Sequence, residues 1–128
     1  MARATAAIMT CLEADVADPE HGALHGTGIG TESYVGRARI ANDVDDAIER
    51  LEPGDVLIAP FTGPAYNSLL PILGALVVEY GGAMCHAAIV AREFGLPAII
   101  GAGGATTKIA DGAQVEVDPV AGVVRVLT

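Results

Sequence analysis

The sequence predicts an α/β fold, a mixed and partly parallel sheet with short helices. Three observations carry that expectation. The runs Val56–Ala59, Ala75–Val78 and Ala98–Ile100 are apolar throughout, as in strands buried on both faces. Helical stretches separate these runs, as parallel pairing requires. Alternating segments at 34–40 and 114–127 flank them and add an antiparallel portion.

Taken in order, residues 34–40 alternate apolar and basic side chains, which places Arg37 and Arg39 on a solvent-facing side. Asn42 is positioned to cap a helix over 44–51, with Asp43, Asp45 and Asp46 at its start, where negative charge suits the helix dipole. Pro53, Gly54 and Asp55 end it. Thr62-Gly63-Pro64 makes a turn, and 66–73 reads as a short helix with Pro71 near its end. A helix over 85–94 follows Gly81-Gly82 and stops at Gly95 in the left-handed conformation, with Pro97 two residues on. A hairpin follows, with strands at 114–117 and 123–127 about a turn at 118–122. Residues 1–25, acidic over 13–20 and broken by Pro19, are expected to be a leader or linker, and residues 26–128 the domain.

Composition bounds the function. A chain of 128 residues is one domain by default, and 52% hydrophobic against 18% charged residues excludes disorder. With no Trp and 4% aromatics, the core must be built from Ala, Val, Ile and Leu. The net charge of −9 argues against sequence-independent binding to nucleic acid or an anionic membrane, since both need a basic patch. Cys11 and Cys85 are too few for a disulfide framework. The longest apolar stretch, at 4–12, is too short to span a membrane, and no signal peptide is recognisable. A cytoplasmic chain is expected.

The chemistry concentrates in Gly81-Gly82-Ala83-Met84-Cys85-His86-Ala87-Ala88-Ile89-Val90-Ala91-Arg92-Glu93. A buried strand runs into two glycines, and a helix opens with His86 in its first turn. The first N–H groups of a helix lack internal acceptors and favour an anion. A phosphate carried on the ring of His86 would sit there. Neutral imidazole also presents one lone pair near pH 7, and the nitrogen that donates a hydrogen bond leaves the other free to attack.

Competing constellations are thinner. Cys85 is a possible thiol nucleophile for a hydrolase, yet adjacent helix residues point about 100° apart and do not face each other. His21 and His25 have metal-ligand spacing, but Gly22 and Gly26 oppose a helix there and no third ligand is near, so no metal site is expected.

The segment from Gly81 to Ala98, Gly-Gly-x-x-x-His-Ala-Ala-Ile-Val-Ala-Arg-Glu-x-Gly-x-Pro-Ala, closely resembles the phosphohistidine motif of the PEP-utilising enzymes. These include phosphoenolpyruvate synthase, pyruvate phosphate dikinase, enzyme I of the sugar phosphotransferase system and rifampicin phosphotransferase. The resemblance extends to Val35-Gly36-Arg37-Ala38-Arg39, Pro53-Gly54-Asp55-Val56-Leu57, Thr62-x-Pro64-x-Tyr66, Gly101 and Asp111-Gly112. It implies a swivelling β/β/α phosphohistidine mobile domain with His86 as the phosphorylated residue. Thr62, at the end of a buried strand where α/β sheets collect functional groups, either orients the His86 ring or only forms the turn. Arg92 either pairs with a carboxylate or steers the phosphate, which Gly81, Gly82, Cys85 and Ala87 would bind or support. It also implies partner domains: an ATP-grasp nucleotide-binding domain, a PEP-binding barrel or an acceptor-binding domain. ATP or phosphoenolpyruvate, with Mg²⁺, would be held there and none by this domain, which is not expected to be active alone. One position departs from the family: Met84 stands where Thr, Ser or Asn is usual, and it resembles the rifampicin phosphotransferase branch. Two readings therefore stay open, a phosphoryl carrier and a non-catalytic interaction or regulatory module that kept the fold.

Overall fold

A strand that is apolar at every position needs cover on both faces, and three strands of this chain have it. The computed structural model describes residues 23–82 and 85–127. Among these, eight strands form one sheet. They are β1 (Leu24–His25), β2 (Thr27–Ile29), β3 (Tyr34–Ile40), β4 (Val56–Ala59), β5 (Ala75–Val78), β6 (Ala98–Ile100), β7 (Gln114–Asp118) and β8 (Val123–Val126). Across the sheet the order is β1-β8-β7-β3-β4-β5-β6-β2. The four strands β3 to β6 run parallel, and every other pairing is antiparallel. The expected mixed α/β sheet is the observed fold.

Helices α1 (Val44–Arg50) and α2 (His86–Phe94) cover one face and the short α3 (Ala105–Lys108) packs on the other. Successive strand side chains point to opposite faces, so each apolar run feeds two cores. Leu57, Ala59, Leu76, Val78, Ala98 and Ile100 pack with Ala47 of α1 and with Ala87, Ala88, Val90 and Ala91 of α2. Val56, Ile58, Ala75, Val77 and Ile99 pack with Ala105, Ile109, Val115, Val117 and Val124. Fully burying each Val, Leu or Ile stabilises the fold by about 1.5–3 kcal/mol. Gly95 closes α2 at φ 65, ψ 31, donating its N–H to the Ala91 and Arg92 carbonyls.

Several local expectations are corrected. The cap of α1 is Asp43 rather than Asn42, because the Asp43 carboxylate accepts the Asp46 N–H at 2.8 Å. The helix expected over 66–73 is two 3-10 turns, Pro64–Tyr66 and Leu70–Ile72. Pro71 has no N–H for an α-helical ladder and its ring clashes with the preceding turn. Arg37 and Arg39 do not simply face solvent. The Asp55 carboxylate lies 3.3 Å from each of their Nε atoms. At 4% exposure, Asp55 needs such partners. The sheet also reaches into the expected leader: Leu24 and His25 pair with Val124 and Val123. Next in the chain, β2 pairs with β6. Gly28 is required there, because a Cβ would lie 1.8 Å from the Pro119 carbonyl oxygen. Among the described residues, no helix is long and apolar enough to cross a membrane.

Candidate functional site

Parallel pairing of β4 with β5, with Ala59 opposite Val78, brings the loops after both strands to the same sheet edge. In open α/β sheets this C-terminal edge is where functional groups collect. The pairing runs on past the strands, with Glu79 N–H donating to Ala59 O and Tyr80 N–H to Pro60 O, each at 3.0 Å. The loop after β4 carries Thr62, and the chain after β5 leads through Gly81 and Gly82 to α2. Glu79, buried at 9% exposure, accepts from both the N–H and the hydroxyl of Thr106 at 2.7 Å. That contact ties the end of β5 to α3 directly before the glycines.

Gly81 has φ +127, and a Cβ on it would lie 2.8 Å from Cys85 Sγ. Its freedom therefore lets the loop fold onto Cys85, whereas Gly82 is exposed with open space around it. Cys85 is the N-cap of α2 and its side chain makes no capping bond. It packs against the core cluster beneath α2. A thiol turned that way does not pair with His86, which leaves the hydrolase reading without geometry. The first bond of α2 runs from Ile89 N–H to Cys85 O at 3.0 Å. The N–H groups of His86, Ala87 and Ala88 thus have no intrahelical acceptor. The Ala87 side chain is buried in the core, so only its backbone can serve a phosphate.

The His86 ring is half-buried and held from both sides. Thr62 Oγ1 lies 3.0 Å from Nδ1, and Asn67 Oδ1 lies 3.1 Å from Nε2. An amide oxygen only accepts, so with Oδ1 in this position the contact with Asn67 is made by the tautomer that carries its proton on Nε2. Nδ1 then accepts from the Thr62 hydroxyl. Tyr66, buried at 6%, anchors the 3-10 turn that presents the exposed Asn67. Phe61, next to Thr62, and Tyr80 and Ile89 are exposed large apolar residues in the same loops and helix.

Of the residues singled out from the sequence, the fold brings Thr62 to His86 and folds Gly81 onto Cys85. It does not bring Arg92 to the ring. Arg92 lines a separate groove with Ile29, Glu32, Tyr34 and Leu96. Met84 and His21 lie outside the described residues. Among the described residues, no three His, Cys, Asp or Glu side chains gather as a metal-binding group. Sequence reasoning missed Asn67. Its signal was the polar pair Asn67-Ser68 directly after Tyr66, ahead of an apolar stretch.

Comparison with known proteins converges on one family. The model of "PEP-utilising enzyme, mobile domain" matches residues 51–122, over half of the chain. A rifampicin phosphotransferase of Streptomyces sviceus is 40% identical over 111 residues, which is 87% of this chain and 13% of that protein. A phosphoenolpyruvate synthase of Aeropyrum pernix is 45% identical over 89 residues, 70% of this chain and 11% of the relative. The chain thus spans only a small part of the curated relatives it matches. Among solved structures, an enzyme I protein aligns with TM-score 0.53 and 32% identity, over 59% of this chain and 32% of that one. An aconitase X of Thermococcus kodakaraensis, at TM-score 0.64 and 20% identity over 83% of this chain and 98% of its own, shares the fold alone.

Proposed function

Because the chain belongs to the PEP-utilising enzyme mobile-domain family, we propose that it is a phosphoryl-carrier domain and that His86 is its covalent carrier. The observation that carries this reading is the ring of His86 at the start of α2, oriented through Nδ1 by Thr62 with Nε2 toward the exposed side. In the transferring state Nδ1–H donates to Thr62 Oγ1, and the lone pair on Nε2 attacks phosphorus. The bond from phosphorus to the donor oxygen breaks, and the leaving group departs with its electron pair. The phosphoryl oxygens come beside the N–H groups at the start of α2, which favour negative charge.

Phosphoryl transfer is mainly positioning and charge stabilisation. The donor's own charges need Mg²⁺ and clustered basic side chains, and in this chain of net charge −9 the grouped Arg37, Arg39 and Arg50 are taken up by Asp55 and Asp111. The donor, ATP or phosphoenolpyruvate, is therefore held with its Mg²⁺ by an ATP-grasp or barrel domain. An acceptor domain takes the phosphoryl group in turn, and a cytoplasmic setting suits both. The alternative, a binding module that lost transfer, draws on Met84 in place of a hydroxyl or amide side chain. The intact contact from Thr62 to His86 weighs toward the carrier.

The test is incubation of the purified protein with Mg²⁺ and ATP or phosphoenolpyruvate, with and without a nucleotide-binding partner domain, followed by intact mass at alkaline pH. Acid-labile phosphate on His86 only when the partner is present is the expected result. Label without a partner, or on Cys85 or His25, overturns the carrier reading. A failure of His86 to accept phosphate under every condition favours the binding module.

A further inference from the structure

We propose that Asn67 is a positioning residue that guards Nε2 by selecting the ring tautomer of His86. This deepens the carrier reading, which supplies the importance of Nε2. The inference rests on three facts. Asn67 Oδ1 is 3.1 Å from Nε2, on the exposed side of the ring. Thr62 Oγ1 is 3.0 Å from Nδ1, and its hydroxyl can either donate or accept. Asn67 itself is exposed, on a 3-10 turn fixed by buried Tyr66.

The two neighbours differ in what they permit. Thr62 serves either tautomer, because a hydroxyl is donor and acceptor at once. The Asn67 amide presents its carbonyl oxygen, which bonds only a proton on Nε2, and turned over it would place an N–H on the Nε2 lone pair, so in either orientation it covers that nitrogen. While Oδ1 faces the ring, Nε2 carries that proton and has no in-plane lone pair for phosphorus. Attack requires Asn67 to turn away and the proton to reside on Nδ1, where Thr62 Oγ1 accepts it. A partner domain that docks over the exposed ring meets Asn67 first. Displacement of Asn67 by that partner then frees the nucleophile only when a donor is in place. Small phosphoryl compounds in solution, which do not hold Asn67 aside, meet a mostly protonated nitrogen and react more slowly.

The experiment uses the whole chain and phosphoramidate, a small chemical donor that needs no protein partner. Nitrogen-15 NMR of the ring of His86 reads the tautomer directly, without any phosphoryl transfer. In the unaltered protein Nε2 is expected to carry the proton. Asn67→Ala should shift the population toward Nδ1–H and speed phosphorylation of Nε2 by about two- to tenfold, the span of one ordinary hydrogen bond. Asn67→Asp, a stronger acceptor, should deepen the Nε2–H population and slow the reaction. Unaltered amide spectra away from the site show that each variant is folded. A wild-type ring protonated on Nδ1, or an Asn67→Ala variant with unchanged tautomer and rate, overturns the guard. A ring that shows the expected tautomers but never takes phosphate on Nε2 leaves the tautomer selection standing and defeats the carrier reading instead.

Discussion

Thr62 Oγ1 stands 3.0 Å from Nδ1 of His86 across 24 residues of sequence, joining the loop after one parallel strand to the helix after the next. The contact needs no charge and no metal. It needs only that β4 and β5 end level with each other, which their register ensures. The Thr62 hydroxyl, donor and acceptor at once, can hold the ring in either tautomer.

Thr62→Val keeps the shape of the side chain and removes the hydroxyl. Phosphorylation of His86 by phosphoramidate should fall by about two- to tenfold, while Thr62→Ser should retain most of the rate. Intact mass at alkaline pH measures both. Equal rates for Val and Ser would show that Thr62 only shapes the turn.

His86→Ala should cost less than about 1 kcal/mol in denaturant unfolding. The ring is half-buried, and its exposed partner Asn67 regains water when the ring is gone, so no polar group there is stranded in the core. A loss of several kcal/mol would mark His86 as a packing residue first.

Adjacent glycines should respond very differently. Gly81→Ala forces a side chain into φ +127 and against Cys85 Sγ at 2.8 Å. A destabilisation of about 1–3 kcal/mol is expected from the backbone conformation alone. Disturbed NMR signals from Cys85 and His86 should accompany it. Gly82→Ala has open space and should sit within roughly ±0.5 kcal/mol. Thermal unfolding of the two variants side by side decides the matter.

Acid sensitivity should trace in part to Asp111. Burial pushes its carboxyl up, but the Ile40 N–H at 2.8 Å and the guanidinium groups of Arg50 and Arg39 outweigh that and hold it below the ordinary carboxylate range. A depressed folded value means this stabilisation is fully present above the unfolded value of about 3.9. It is lost as pH falls through the lower, folded value. Asp111→Asn should therefore be less stable at neutral pH and show a flatter loss of stability below about pH 4. Parallel unfolding curves for both proteins from pH 6 to pH 2 would contradict this.

Local chemistry was enough to locate the three buried strands, the Gly95 stop of α2 and the histidine at its start. An all-apolar run can only be satisfied between two layers, and a left-handed glycine ends a helix wherever it occurs. His86 was legible for the same reason, as a polar ring at a glycine-loop junction within a family motif. The ion pairs of Arg37 and Arg39 with Asp55 were not legible, since alternation assigns a face but not the partner that the neighbouring strand brings to it. The sheet pairing of residues 24–25 and 27–29 was hidden too, because edge strands this short depend on a ladder offered by β8 and β6. Asn67 shows the limit most clearly. Pro71 and buried Tyr66 replace a regular helix with 3-10 turns, and only that geometry carries the amide to Nε2. A hydrogen bond spanning 19 residues is set by how two loops are held over one sheet edge, and no pattern along the chain encodes that distance.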